Sequence, residues 1–496
     1  KKRLRWWTDN LSGCHPSVRR QTAEPNPALT GFPYMGKVAH KGGEGKRRQD
    51  DPDIKHFLSV RGLLSEGDGR VMSDPDLRAA YVAQQRFYRP PKLGNLNEKL
   101  YKYAWLQTEK QAYQYCGNSP VSGLNETLAS MDLTKSCGFP HLKVWPTKQM
   151  YVDSYEGREE LETTWVKRLL NGTAVTFAQV TVKRELRPHE KVQTRRLRTI
   201  MAMAADHVIL HKRLVLTMNE RMHKNSLACN TTIGLPMFHG GSNKIAGHLG
   251  KHPNGYGFDI KAMDASVSLY EYEFLTKFRH AMLDGTKDDH VRLESIYQLL
   301  YMHPQVMPDG NCFLKGTDGT AGNSSGQACT AHDNTWVNIA RFKYCWMWLT
   351  GTDVDELDRH VAYLIVGDDG DYTVSDEYKE VFSVGQLAYA MFHNFGVELE
   401  VETEEARPWH DVTFLSMKFR YDSELDQWGT QLNTGRLISS LLQGGMTDAL
   451  DGSGVTPPKQ LQRISSLLIS AWCDPGQRSW LRDLTSWYVD VHEPKY

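Results

Sequence analysis

No stretch of this sequence is apolar for long. The longest such runs, Val361–Val366 and Leu467–Trp472, fall far short of the roughly 20 residues that a membrane-crossing helix needs. The start carries no secretory signal. Cysteine is sparse: eight residues are scattered through 496, and none forms a Cys-x-x-Cys pair. A disulfide framework and structural zinc are therefore not expected, and a reducing compartment fits. Excess charge of either sign is missing, with 59 Lys and Arg against 59 Asp and Glu. That removes any argument from the global field but leaves local ones. Lys1–Arg5 and Lys41–Arg48 are basic, while 353–358 and 398–405 are acidic. Repeats and low-complexity tracts are absent too, and the length exceeds what one core usually serves, so subdomains are expected. A start without Met and rich in Lys and Arg suits a piece cut from a polyprotein as well as a trimmed chain.

Against this background, Val361-Ala-Tyr-Leu-Ile-Val-Gly367-Asp368-Asp369-Gly370-Asp371-Tyr-Thr-Val374 is distinctive. Two β-prone runs flank a Gly-Asp-Asp turn, which predicts a hairpin with adjacent carboxylates at its tip. Neighbouring carboxylates repel unless a cation sits between them, and hard oxygen ligands suit Mg²⁺ or Mn²⁺. Paired divalent ions drive phosphoryl and nucleotidyl transfer. The tripeptide alone would equally suit a solvated acidic turn, so other segments must carry the argument.

Three do. Gly257-Phe-Asp259-Ile-Lys-Ala-Met-Asp264-Ala-Ser266 ends a strand and runs toward a helix from Tyr270 to Met282. Asp259 could share a metal with Asp368, and Asp264 could accept a hydrogen bond from a ribose 2′-hydroxyl; an ordinary helix cap is the bland alternative. Gly319 to Thr335 is a Gly- and Ser-rich loop entering a helix from Gln327 to about Leu349. Ser325, Thr330 and Asn334 are spaced to share a face toward a ribose. Val182 to Ile200 interleaves Lys183, Arg184, Arg187, Lys191, Arg195, Arg196 and Arg198 with apolar residues, as partly buried strands lining a phosphate channel would. A solvated basic face is the usual reading of such a run.

Together these segments resemble the RNA-dependent RNA polymerases of positive-strand RNA viruses, in the picornavirus-, potyvirus- and astrovirus-like group. Asp259-x4-Asp264-Ala-Ser resembles motif A. Gly322-Asn323-x-Ser325-Gly326-Gln327-x2-Thr330-x2-Asp333-Asn334-Thr335 resembles motif B, and Gly367-Asp368-Asp369 motif C. Lys183-x-Glu185-Leu-Arg187 through Arg198-x-Ile200 resembles motif F. Met131 to Pro140, with Ser136 and Gly138, resembles motif G at the template entrance. Thr413 to Lys418, with Ser416 and Lys418, resembles the motif E primer grip. The order G, F, A, B, C, E spans about residues 131 to 420, and separate weak motifs multiply into a specific signal. One departure concerns motif D, which often supplies a lysine to protonate pyrophosphate. Phe395 to His410 has no lysine there, leaving His410 or Arg407 as stand-ins; a His titrating near neutrality is the better acid.

The resemblance implies an α+β right-hand fold with fingers, palm and a small helical thumb. Residues 1–205 would form fingers, 206–274 and 305–421 palm, 275–304 a fingers insertion, and 422–496 thumb. Helical patterns are read at Asn95–Tyr115, Gly157–Leu170, Ala205–Glu220, Asp289–Tyr301, Gln460–Trp472 and Trp480–Val489. It further implies RNA synthesis with two Mg²⁺ or Mn²⁺ ions on Asp259, Asp368 and Asp369. Lys183, Arg196 and Arg198 would grip the triphosphate, and Asp264, Ser325, Thr330 and Asn334 would read the ribose. Implied partners are template and nascent RNA, NTPs, a genome-linked protein primer and other viral replication proteins. The implied setting is the host cytoplasm, in complexes brought to membranes by those partners. A reverse transcriptase and a non-catalytic RNA-binding scaffold are the rival readings. The first usually places a bulky residue by the sugar 2′ position, where this chain offers Asp264 and Asn334.

Overall fold

The computed structural model describes residues 33–38, 40, 50–74, 76–88, 95–316, 322–443 and 457–492. The basic segments Lys1–Arg5 and Lys41–Arg48, and Gly319–Ala321 of the glycine-rich loop, lie outside the described residues. The described chain mixes helix and sheet throughout, as an α+β protein does.

Four strands form an antiparallel sheet in the order Val361–Val366, Asp369–Val374, Asn254–Ile260, Leu399–Val401. The first pair is the expected hairpin. Val366 faces Asp369, so Gly367 and Asp368 make a two-residue turn. Gly367 takes φ +64°, the left-handed value that a primed hairpin turn asks of its first residue. Gly370 faces Phe258 across the ladder, and a Cβ there would sit 2.2 Å from the Phe258 ring. Absence of a side chain at Gly370 thus lets the aromatic layer close under the turn. Phe258, Tyr372 and Phe342 fill that layer.

The helix Thr330–Thr350 covers this layer, and its residues are buried without interruption from Asp333 to Met347. A helix apolar on one side only could not tolerate this. It is packed by the sheet and by the helices Glu98–Cys116 and Leu269–Met282. Two ion pairs fasten it to the latter. Arg341 donates to Glu271 through Nε (2.7 Å) and Nη2 (2.8 Å), and Arg279 to Asp333 through Nε (3.0 Å) and Nη2 (2.5 Å). Each helix carries an acid followed eight residues later by an arginine, and each acid meets the arginine of the other helix. The helices are therefore antiparallel, and the two pairs stand about 12 Å apart along them. Tyr101, from the Glu98–Cys116 helix, also donates to Glu271 (3.0 Å).

A second sheet orders Tyr34–Lys37, Asn311–Lys315, His303–Val306, Ala178–Val182 and Thr199–Met203. The last two strands bracket the basic segment and alternate buried with half-buried residues, as expected of partly buried strands. Residues 303–315 lie wholly in this sheet, so a division at 305 would cut a pair of hydrogen-bonded strands. The C-terminal part follows the hairpin Met417–Asp422 with Gln427–Leu432 and consists of helices Thr434–Leu442, Pro457–Ser470 and Pro475–His492. Its apolar cluster includes Leu437, Ile438, Leu441, Leu481 and Leu484, and also Ile54, Phe57 and Leu58 from the helix Pro52–Val60. The boundary that would separate 1–205 from 422–496 is crossed here. Arg61 pairs with Asp483 (2.8 Å), Ser439 donates to Asp68 (2.6 Å), and the Asp51 amide donates to Leu442 O (2.8 Å).

Other helices start or end close to expectation: Glu98–Cys116, Ala205–Lys224 and Lys287–Tyr301. The pattern at Gly157–Leu170 is a continuous run from Tyr155 with a π-helical middle, Glu160–Trp165.

Arg341→Met strands the Glu271 charge in a fully buried place. It should destabilise the chain by roughly 3–5 kcal/mol, read by chemical unfolding. The double variant Arg341→Met/Glu271→Leu should lose clearly less than the two single variants combined.

Candidate active site

Three carboxylates gather at one end of the four-stranded sheet. Asp259 faces Asp369 directly across the ladder, and the Ile260 amide donates to Asp368 O (2.8 Å). The turn carrying Asp368 is clamped from beneath by the Thr330–Thr350 helix. The Gly367 amide donates to Thr335 Oγ1 (2.8 Å), and Asn338 Nδ2 donates to Gly367 O. Asp369 Oδ2 accepts the Leu415 amide (2.7 Å). Leu415 and Ser416 both adopt positive φ (+50° and +65°), and Phe414 and Met417 exchange backbone hydrogen bonds around them. This is a primed two-residue turn, and Asp369 fixes its position.

Crowding shows in the acidities. Burial, then Asp368 and Glu400, push Asp259 up to about 7. Burial also pushes Asp369 up to about 7, against the pull of the Leu415 amide and with Asp259 and Asp368 adding to it. Asp368 is raised as well, mainly by burial. Asp371, two residues on, is fully buried, and neither of its oxygens is hydrogen-bonded among the described residues. Among these residues no three His, Cys, Asp or Glu side chains are already drawn into a coordination cage. The trio nonetheless fits a divalent cation. It offers hard oxygens on adjoining backbone positions whose ionisation is opposed by burial and mutual repulsion, and a cation relieves both.

Positive charge stands opposite. Arg198 makes a bidentate contact to Glu185 (Nε 2.6 Å, Nη2 2.7 Å), and Lys183 (3.2 Å) and Arg187 (3.8 Å) share the same carboxylate. Burial alone would raise Glu185, but Arg198 and Lys183 outweigh it and hold it below the ordinary range. Arg198 is raised first by its bond to Glu185, with Asp368 and Asp264 within electrostatic reach. Arg196 instead pairs with Glu190 and Thr194 on its own turn. Arg70, Arg184, Arg187, Arg198, Arg436 and Arg463, with Glu185 and Ser416, line a cleft of about 570 Å³ beside the Leu415 turn. A slightly larger cleft, about 660 Å³, lies between the helices Leu269–Met282 and Lys287–Tyr301 and includes none of these charges.

Of the proposed ribose readers, Asp264 accepts from Arg86 (2.9 Å), and Asn334 Oδ1 accepts from Asn323 Nδ2 (2.8 Å). Ser325 Oγ is sewn to the neighbouring strand, accepting from the Met201 amide and donating to Thr199 O (both 3.3 Å). Thr330 Oγ1 donates to Ser324 O (2.9 Å). The two hydroxyls expected to share a face with Asn334 thus already serve the loop backbone.

The remaining candidates separate further. Gly138 (φ +69°) packs against the end of the strand Thr199–Met203, where a Cβ would lie 2.7 Å from Met203 O, and Ser136 Oγ accepts the Gly138 amide (3.1 Å). Ser416 accepts from Arg436, and Lys418 lies 3.9 Å from Glu402. Arg407 exchanges backbone hydrogen bonds with Gly255 (2.6 and 3.0 Å). Gly255 is four residues, about 13 Å of strand, from Asp259. His410 packs its ring on Trp409 and Trp428 (5.8 and 5.2 Å between centroids). Neither stand-in for the missing motif D lysine is brought to the carboxylates.

Sequence reasoning placed Glu185 and Thr335 inside motifs without giving either a role, and missed Arg86 and Asn338. Glu185 had a signal, as one of two acids, with Glu190, inside a basic run. Arg86 had none, because its partnership with Asp264 spans 178 residues.

A family model for viral RNA-dependent RNA polymerase matches residues 61–472. The chain is similar to the genome polyprotein of plum pox potyvirus (isolate NAT), 26% identical over 345 residues, covering 68% of this chain and 10% of the polyprotein. It is 30% identical over 269 residues to the genome polyprotein of watermelon mosaic virus II (isolate USA), covering 53% of this chain and 25% of the polyprotein. The genome polyprotein of zucchini yellow mosaic virus (strain Singapore) is 25% identical over 345 residues, covering 69% and 10%. The chain thus spans about a tenth to a quarter of the length of these relatives. With the matched segment running through both sheets, the carboxylates and the arginine cleft, this chain belongs to the viral RNA-dependent RNA polymerases.

Proposed function

We propose that this chain copies an RNA template by transferring nucleotidyl groups from NTPs to a 3′-hydroxyl. The observation that carries this reading is the pairing of Asp259 with Asp369, and of Ile260 with Asp368 O, which puts three ionisable oxygen donors at one end of the sheet. Asp259 and Asp368 are the principal ligands for a pair of divalent ions. Asp369 contributes from the oxygen not committed to the Leu415 amide. Ions bound there supply Lewis-acid activation of the hydroxyl and neutralise charge on the triphosphate. Arg198 and Lys183 bind the phosphates, pre-aimed by Glu185 so that little side-chain freedom is lost on binding. Asp264 and Asn334 read the ribose, while base pairing reads the sequence. In right-hand terms the carboxylate sheet is the palm, the sheet bearing the basic segment belongs to the fingers, and the C-terminal helices are the thumb.

Template and nascent RNA, NTPs, a protein primer and other replication proteins are the partners this reading calls for, in the host cytoplasm. Among the described residues no helix is long and apolar enough to cross a membrane, so membrane attachment is assigned to partners.

Primed-template extension with Mg²⁺ or Mn²⁺ tests the proposal. Asp368→Asn should cut synthesis by about three orders of magnitude while leaving the unfolding midpoint and RNA affinity close to the parent's. Loss of RNA binding would remove Asp368 from a purely chemical role. An absence of product from the parent chain under all metal and primer conditions would sink the polymerase reading.

Acidity gives a second test. Between about pH 4 and about pH 7 the folded chain keeps protons on Asp259 and Asp369 that the unfolded chain has shed. Their contribution to stability therefore falls as pH rises through that window and stays lost above it. The metal-free melting temperature should drop less in Asp259→Asn than in the parent over this range. Mg²⁺ should raise it at about pH 8 but scarcely at about pH 5, and scarcely at all in the variant. A metal response independent of pH would contradict the assignment.

A further inference from the structure

Asn334 is turned in one direction by a chain of hydrogen bonds that starts at an ion pair. Asp333 is a carboxylate and can only accept. It takes Arg279 on Oδ1, Tyr297 OH on both oxygens (3.2 and 3.1 Å) and Gln327 Nε2 on Oδ2 (3.0 Å). The amide end of Gln327 is thereby fixed as its nitrogen, and the same nitrogen donates to Asn323 Oδ1 (2.9 Å). Gln327 Oε1 is used separately by the Cys329 amide (3.0 Å). Tyr272 OH donates to Asn323 Oδ1 as well (3.1 Å). With its oxygen doubly occupied, Asn323 turns its nitrogen to Asn334 Oδ1 (2.8 Å). Asn334 is 7% exposed, and its own nitrogen donates to no described residue.

The backbone of Asn323 is held just as firmly. Its amide donates to Asp264 O (2.5 Å), and the preceding Gly322 donates to Val267 O (2.8 Å). Gly322 O in turn receives the buried Lys315 ammonium (2.7 Å). Gly322 has φ +67°, and a Cβ there would meet Phe87 at 2.5 Å and Asp264 O at 2.9 Å, so this approach needs glycine. One residue, Asn323, therefore touches both Asp264 and Asn334.

Resting on the polymerase reading, we infer that Asn323 is a positioning residue for sugar selection: it presents the Nδ2 donor of Asn334 to the nucleotide in register with the Asp264 carboxylate. A 2′-hydroxyl can then accept from Asn334 and donate to Asp264 at once. A deoxyribose leaves both partners unmatched, and buried polar groups left unmatched are what makes a site discriminate. The direction of that donor is set by the Arg279–Asp333 pair through Gln327 and Asn323, not by Asn334 itself.

The test is single-nucleotide extension with ATP and dATP. Asn323→Asp keeps the acceptor for Tyr272 and Gln327 but has nothing to donate, so Asn334 must turn its nitrogen inward. The ratio of kcat/KM for ATP over dATP should fall about five- to tenfold, the worth of one directed hydrogen bond. The loss should fall on the KM for ATP more than on any constant for dATP. Tyr272→Phe, which removes one of the two bonds locking Asn323, should shift the ratio the same way by about twofold. A merely structural role would lower both nucleotides together. A folded Asn323→Asp enzyme with the parental ratio overturns the inference. If that variant does not fold, an unchanged ratio in Tyr272→Phe overturns it instead. A parent chain that makes no RNA refutes the underlying polymerase reading, a distinct outcome from a parent that discriminates normally beside an indifferent variant.

Discussion

Two reciprocal ion pairs, Arg341–Glu271 and Arg279–Asp333, are the constraint on which the rest of the molecule depends. All four side chains are essentially without solvent contact, where a single unpaired charge is intolerable and a matched one must meet its partner in good geometry. With acid and base swapped between the helices, neither sliding by a turn nor reversing one helix keeps both pairs. The Thr330–Thr350 helix is thereby locked in register, and it carries Thr335 and Asn338 to the Gly367–Asp368 turn and Asn334 to Asn323. The same locked register that orders the core also sets the aim of the site.

The site itself works against stability. Asp259 and Asp369 are pushed up to about 7 because burial and their neighbours disfavour charge, a push that Arg198 and Lys191 only partly oppose at Asp259. Lys183 and Arg198 are themselves held by Glu185. By pairing with these cations, Glu185 competes with the aspartates for them. A cleft with separated signs can accept a metal on one side and phosphates on the other, whereas direct Asp–Arg pairs would leave neither free.

Much of this was legible in the chain. The hairpin with Asp368 at its tip follows from β-prone runs around Gly-Asp, and the Asp259 strand end from the alternation before it, because both depend on neighbours in sequence. What was illegible depends on distant neighbours. Ser325 and Thr330 read as free hydroxyls because sequence does not show that Thr199, Met201 and Ser324 claim them. Arg196 looks equivalent to Arg198 until Glu190 takes one and Glu185 the other. His410 offered attractive chemistry, but besides its sequence neighbour Trp409 its ring packs on Trp428 from the Met417–Leu432 segment, a contact that no local pattern announces. A division at 305 cuts the strand His303–Val306, because its pairing with the distant strand Ala178–Val182 leaves no trace in local composition.

The helix Pro52–Val60 has a consequence for how the chain is made. Among the described residues its apolar face of Ile54, Phe57 and Leu58 shares one cluster with Leu437, Ile438, Leu441, Leu481 and Leu484, and Asp68 awaits Ser439 across 371 residues. At ribosomal speeds of about 5–20 residues per second, the partners emerge on the order of tens of seconds later. Until then the nascent chain carries a sticky, unmatched helix while everything between assembles. The helices after Leu432 therefore arrive as a latch that closes over the helix Pro52–Val60.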